Sequence, residues 1–178
     1  MIYEKSRELA QLQLDIWLSS DLFSFKWFVL IGVLAIFYIV WLKLLDKSRI
    51  VELLLIGSLA AVAFTINAFI LIEFLGLTHY VTKILPISPP IFITSITISP
   101  VIIMLVQQYT SSWKSYMFWT AIGFAFLSLI IFPIFTAIGI LELYKNWNWF
   151  YHYIVLYTVA QTVRLVFLWI TGIERRNM

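Results

Sequence analysis

Arg164 stands inside the last long apolar run of this 178-residue chain, FYHYIVLYTVAQTVRLVFLWI at residues 150–170. A cation within a membrane-length helix costs from ~2.5 kcal/mol upward, so it must face protein, water or a headgroup. The polar groups in reach are amides. Gln161 precedes Arg164 by three residues, on roughly the same helical face. Gln107 and Gln108 close the third apolar run, which ends on the same side. An arginine among amides can hold an anion, so Arg164, Gln161, Gln107 and Gln108 are candidates for an anionic ligand or a lipid headgroup. The plain alternative is a structural arginine that snorkels toward the interface.

A second group gathers at the opposite ends of the runs. Glu73, Glu142 and His152, with His79 and Lys145 nearby, form an outer polar cluster. A carboxylate beside a histidine could exchange protons near neutral pH, because low dielectric and a partner shift both groups. The alternative is a hydrated interfacial cluster, such as span ends commonly carry. Depth separates Glu73 from Arg164: Arg164 lies fourteen residues beyond Phe150, or ~21 Å of helix, while Glu73 sits near the outer end. Trp147, Asn148 and Trp149 read as interfacial anchors with Asn148 capping the last helix; a stacking platform is the alternative. Asn67, near mid-span, suits a bond to a neighbouring helix, and Gly57 with Ala61 offers a small-residue face for close packing.

Signatures of catalysis are missing. The chain has no cysteine and two histidines, which excludes disulfides, thiol chemistry and thiolate metal sites and disfavours a His-rich metal centre. It carries no phosphate-cradling glycine loop, no HExxH, no GxSxG and no paired aspartates within a run. No cofactor and no metal are expected.

These groups need elements to carry them. The chain is 62% hydrophobic and 12% charged, against roughly 45–50% and 25% for soluble domains. The excess falls in long runs, so the expected fold class is all-α: one polytopic membrane domain of five transmembrane helices. The runs lie at about 27–45, 51–75, 90–106, 116–141 and 150–170. IFITSITISP in the third could form a strand, but an open strand in lipid would leave backbone groups unpaired, so helix is the better reading. Pro100 and Pro133 predict kinks. Trp149 and Trp169 stand twenty residues, ~30 Å, apart, which suits anchors in two interfaces.

Residues 1–22 place Ile2, Leu9, Leu12 and Ile16 near one helical face, which predicts an amphipathic helix lying on the membrane surface. Its acidic residues Glu4, Glu8, Asp15 and Asp21 argue against a cleavable signal, so the first run reads as permanent. Five spans put the termini on opposite sides. Lys43, Lys47, Arg49, Lys114, Arg175 and Arg176 flank one side, and Lys26, Lys83 and Lys145 the other, with Lys5 and Arg7 farther away. Weighting charges near span ends puts the N-terminus outside and the C-terminus in the cytoplasm. No internal repeat is visible, so an inverted-repeat transporter has no support.

Residues 90–170 resemble an uncharacterised family of small integral membrane proteins from endospore-forming Bacillus- and Clostridium-type bacteria. Ser99-Pro100 through Gln107-Gln108-Tyr109, the phrase Tyr144-Lys145-Asn146-Trp147-Asn148-Trp149-Phe150, and Arg164 carry the likeness. The chain departs from the pattern at Asn146, where the family has glycine, at Tyr151-His152, where its histidine falls one place earlier, and near Ser95, where it has an acidic residue. No proton-linked role is therefore carried over. The resemblance implies a bacterial plasma-membrane protein and a sporulating host; it implies no activity.

Three functions fit the residues. One is a non-enzymatic membrane component: scaffold, sensor or partner subunit. Another is a small oligomeric transporter or channel, which needs Asn67, Glu73 and Arg164 on one water-filled path. The third is a membrane enzyme acting on lipid, with Glu73 or His152 as acid or base. The partners implied are the lipid bilayer and either a second copy of the chain or another membrane protein; the dispersed charge, +3 net, favours no nucleic acid.

Overall fold

Two glycines and two prolines decide where the long helices end and how they bend. The computed structural model describes residues 2–176. An N-terminal helix α1 (Ile2–Ile16) is followed by five helices long and apolar enough to cross a membrane: α2 (Phe25–Leu44), α3 (Lys47–Phe74), α4 (Ile91–Tyr109), α5 (Trp113–Ala137) and α6 (Trp149–Arg176). The expected runs agree with these to within a few residues at most ends. The fourth is corrected: residues 138–141 are not helical, and Leu141 begins a short strand. Gly139 takes a positive φ of 71° there; its N–H donates to the Thr136 carbonyl, and the Ile140 N–H to Phe135. This is the left-handed glycine stop that closes a helix by returning donors to its last turn. Gly76 (φ 58°) ends α3 the same way, with the Leu77 N–H on the Leu71 carbonyl.

The two loops released by these glycines pair with each other. Strand β1 (Thr78–Tyr80) runs antiparallel to β2 (Leu141–Leu143), with His79 opposite Glu142. A purely helical reading missed this pair, because three-residue strands leave no periodic signal.

Each proline inside a helix follows a widened turn. Thr94–Ile98 is π-helical just before Ser99-Pro100, and Leu127–Ile131 just before Phe132-Pro133. Proline lacks an N–H and its ring clashes with the carbonyl four residues back. The π stretch moves that carbonyl aside and lets the helix continue.

Helix α3 is the axis of packing, touching both α4 and α6. Leu53, Ile56, Ala60 and Phe64 on α3 are buried, and Phe64 stacks on Phe124 of α5 at 5.5 Å. Gly57 lets α4 approach closely: a Cβ there would stand 2.6 Å from the Met104 sulfur. Helix α2 is peripheral, with Leu30 its one buried residue. Large apolar side chains such as Ile36, Val51, Phe118 and Leu165 cover the exterior.

Side-chain bonds gather the helix ends into two faces. On the face that carries the N-terminus, Lys26 Nζ donates to the Gly139 carbonyl (2.9 Å), and the Trp17 and Trp27 indoles both donate to the Ile84 carbonyl. On the opposite face, Gln108 donates to the Leu44 carbonyl (2.7 Å) and accepts from the Asp46 N–H (2.8 Å). Helix α1 is as expected helical, with Leu9 and Leu12 56% and 55% exposed; the side chains of Ile2 and Arg175, invoked above, lie outside the described residues.

Asp21 ties α1 to the loop after β1. It is 7% exposed, and its carboxylate accepts from the Lys83 N–H at 3.1 Å. Burial pushes its pKa above the ordinary 3.8, while Lys83 and Lys26 pull it back. A raised folded-state value makes this carboxyl most favourable when protonated, so its contribution falls as pH rises through that value. Asp21→Asn keeps an acceptor for Lys83 without the charge. Thermal unfolding in detergent from about pH 3.5 to about pH 7 should show the variant's advantage growing with pH, whereas Asp21→Ala should lose about 1 kcal/mol with the hydrogen bond. An advantage for Asp21→Asn that shrinks with pH would refute this reading.

Candidate functional site

The turn between α4 and α5 brings Thr110 and Trp113 to the guanidinium of Arg164. That side chain is 4% exposed. Its guanidinium carbon lies 4.1 Å from the Tyr116 ring centroid and 5.6 Å from that of Trp113. Aromatic faces attract a cation through their quadrupole, and the attraction grows as water is removed. One guanidinium nitrogen donates to the Thr110 hydroxyl at 3.3 Å. That hydroxyl gives its own proton to the Val106 carbonyl (2.7 Å), which leaves its oxygen to accept. The Arg164 Nε is enclosed without a partner. Among the described residues, no carboxylate forms an ion pair with Arg164.

Beside it opens a cavity of about 640 Å³, between the start of α3, the end of α4 and the last turns of α6. Gln107, Thr110, Ser111 and Thr171 supply neutral polar walls, and Phe167 and Leu168 an apolar one. Arg49 and Glu52 also line it but engage each other at 2.7 Å, and Glu174 stands exposed at the rim. Among the described residues, Arg164 is thus the cation of this cavity without a carboxylate partner. The arrangement can receive an anion.

The expected Arg164–glutamine network is corrected. Gln161 donates to the Thr120 hydroxyl (2.9 Å), and Gln107 to the Glu52 carboxylate (3.1 Å), while Gln108 serves the turn between α2 and α3. Only Gln107 shares the Arg164 cavity. The reason is the antiparallel seam of α5 and α6. A step of three residues along α6 is matched by a step along α5, so Gln161 meets Thr120 where Arg164 meets Tyr116. Partners lie across the seam, not along the helix.

At the N-terminal face the expected polar cluster is divided. Glu73 accepts from the Ser88 hydroxyl, Glu142 accepts from the Tyr144 phenol, and Lys145 donates to the Leu75 carbonyl. The Tyr144–Glu142 bond raises the Tyr144 pKa. His152 faces inward, 8% exposed, with Nδ1 accepting from the Trp147 indole at 3.4 Å and its ring edge-on to Phe132 at 5.1 Å. Asn148 caps α6 as expected, accepting from the Tyr151 N–H (3.0 Å). Trp149 packs against Phe132 at 5.6 Å, so Trp147 and Trp149 also wall His152. Among the described residues, no hydrogen bond joins Glu73 to His152.

His152 lines a second, much smaller cavity of about 30 Å³ with Asn67, Thr94, Ser95, Ser99 and Tyr80. This is room for a water or two. Ser95 donates to the Phe64 carbonyl (3.3 Å), and the fully buried Ser99 hydroxyl has no partner. Burial pushes the Tyr80 phenol up to about 12, so it stays protonated beside Thr94.

Thr110, Trp113, Tyr116 and Glu52 escaped the sequence reading. Trp113 and Tyr116 did carry a signal, an i, i+3 aromatic pair at a span start, but that pattern ordinarily marks an interface. Comparison of the chain with family models, characterised proteins and solved structures returns no match.

Tyr116 donates its hydroxyl to the Ala160 carbonyl at 3.2 Å while its ring supports Arg164. Tyr116→Phe should therefore cost about 1 kcal/mol, the hydrogen bond alone. Tyr116→Leu removes the aromatic face as well and should cost about 2–4 kcal/mol. Unfolding in detergent measures both; equal losses would remove the aromatic support from the account of Arg164.

Proposed function

We propose that this chain is a multi-pass protein of the bacterial plasma membrane, N-terminus outside and C-terminus cytoplasmic, and that it acts as a non-enzymatic component holding an anionic group at Arg164. One observation carries the functional reading. A buried arginine, without a carboxylate partner among the described residues, lines a cavity of about 640 Å³ with mixed polar and apolar walls on the face that carries the C-terminus. A desolvated cation in such a place is stabilised further by an anion than by water.

The membrane reading rests on five long apolar helices whose exteriors carry exposed Ile, Val, Leu and Phe. A surface of that kind in water would be an aggregation liability. The bacterial plasma membrane is assigned on the motif resemblance within residues 90–170. The orientation is assigned on the lysines and arginines that flank the helix ends.

Two features favour a binding component over a pore or a hydrolase. The large and small cavities share no lining residue, and between them Ile56, Ala60, Ile103 and Ala160 are fully buried. A conducting path would need to pass that layer. Glu73 and His152 do not share a pocket, so the acid–base pair that a lipid-cleaving enzyme would use is not assembled.

The cysteine-free sequence makes topology direct to test. Ser6→Cys should react with an impermeant maleimide on intact cells, and Lys114→Cys only after permeabilisation. The reverse pattern would invert the orientation, and labelling of both from one side would refute three crossings between residues 6 and 114. Binding is tested separately by thermal unfolding of the purified chain in maltoside detergent. Inorganic phosphate or phosphatidylglycerol should raise the midpoint of the wild type, through a stabilisation of about 2.7 kcal/mol at a hundredfold excess over Kd, and should not raise that of Arg164→Gln. An unshifted wild type with both probes would dismiss the anion site.

A further inference from the structure

An apolar groove on the side of the bundle adjoins the Arg164 cavity. Leu55 lines both. From there a channel of about 330 Å³ runs between α3 and α6, walled by Leu59, Val62 and Ile66 on one side and Val163 and Val166 on the other. Val62 is 61% exposed, so the groove is open laterally. Leu55 to Ile66 is eleven residues, or ~16 Å of helix. The hydrocarbon of one leaflet is about half of ~30 Å. The groove thus starts at Leu55, beside the Arg164 cavity on the C-terminal face, and runs for the depth of one leaflet.

Resting on the membrane and anion-site readings above, we infer that cavity and groove form one phospholipid site, with the phosphate on Arg164 and one acyl chain between α3 and α6. The two parts contribute differently. Lipid tails are as apolar as the groove walls, so entering it gains packing contacts and no transfer energy. A groove alone would hold any tail loosely. The buried arginine supplies the charge-assisted bonds that tell a bound lipid from its neighbours. Arg49 is occupied by Glu52, and the carboxylate of Glu174, which also lines the cavity, is exposed to solvent that screens its charge. The Thr110 proton is engaged by the Val106 carbonyl, so the hydroxyl of Ser111 on the same wall is the donor available to a remaining phosphate oxygen.

The test uses the full chain in maltoside micelles, which contain no phosphate, with a phosphatidylglycerol bearing a photoactivatable diazirine midway along one acyl chain. Cross-linked peptides should cluster on residues 55–66 and 162–166. Val62→Trp, which fills an exposed part of the groove, should lower that yield about tenfold, as loss of roughly ten to fifteen packing contacts implies. Arg164→Gln should lower it comparably, and Arg164→Lys should restore part of it; circular dichroism identifies any variant that fails to fold, and Val62→Trp keeps the test open if Arg164→Gln does. Cross-links scattered over all five helices, and insensitive to Val62→Trp, would overturn the lipid site. In that case, stabilisation of the wild type by inorganic phosphate, absent in Arg164→Gln, would leave the anion reading standing with a free anion as its ligand. Absence of both would end both readings.

Discussion

Hydrocarbon offers no hydrogen bonds, so in a bilayer every departure of this backbone from regular helix has to be answered from within the chain. The structure answers each one locally. Pro100 and Pro133 are preceded by π-helical stretches, and Gly76 and Gly139 return donors to the last turns they close. Carbonyls at the ends of helices and loops are taken up by long side chains: Lys26 on Gly139, Lys145 on Leu75, Trp27 on Ile84 and Gln108 on Leu44. These bonds also set where the ends of the helices stand relative to each other. The placement of Thr110 and Trp113 around Arg164 follows from them, since Gln108, two residues before Thr110 and five before Trp113, is bonded to both sides of the turn between α2 and α3.

The same constraint explains how a charge is tolerated. Arg164 has no carboxylate partner among the described residues, yet it is not stranded in hydrocarbon. Its long side chain reaches the turn between α4 and α5, where a threonine oxygen and two aromatic faces meet it. Tyr116 is the hinge of this arrangement, because its hydroxyl engages the backbone of α6 one turn before the arginine it supports. Structural and functional roles of the arginine are therefore compatible: the rings and Thr110 hold it, and the adjoining cavity leaves it accessible to an anion.

The two faces of the bundle are built differently. The face that carries the N-terminus is closed by the turn of residues 17–21 after α1, the Ile84 loop and the β1–β2 pair, and its cavity admits little more than water. The opposite face holds the larger cavity, flanked by the late turns of α6. All three π-helical stretches of the long helices lie toward the closed face. Backbone irregularity there goes with buried hydroxyls, Ser95 and Ser99 among them, and not with the larger opening.

The sequence by itself determined the class, the number of long apolar helices and most of their limits, because run length and residue type along one helix settle those. It also predicted the Asn148 cap and the separation of Glu73 from Arg164, since both follow from position along a single element. Only the tertiary structure decided the partners. Gln161 shares a face with Arg164 but meets Thr120, and His152 turns inward to Trp147 and Phe132 while Glu142 turns to Tyr144. Linear spacing reports depth and face; which side chain stands across a seam depends on how neighbouring helices are set against each other. Here that setting was made by two turn glycines, three widened helical stretches and the Gln108 bonds, so the groove beside Arg164 could be seen only once the helices were packed.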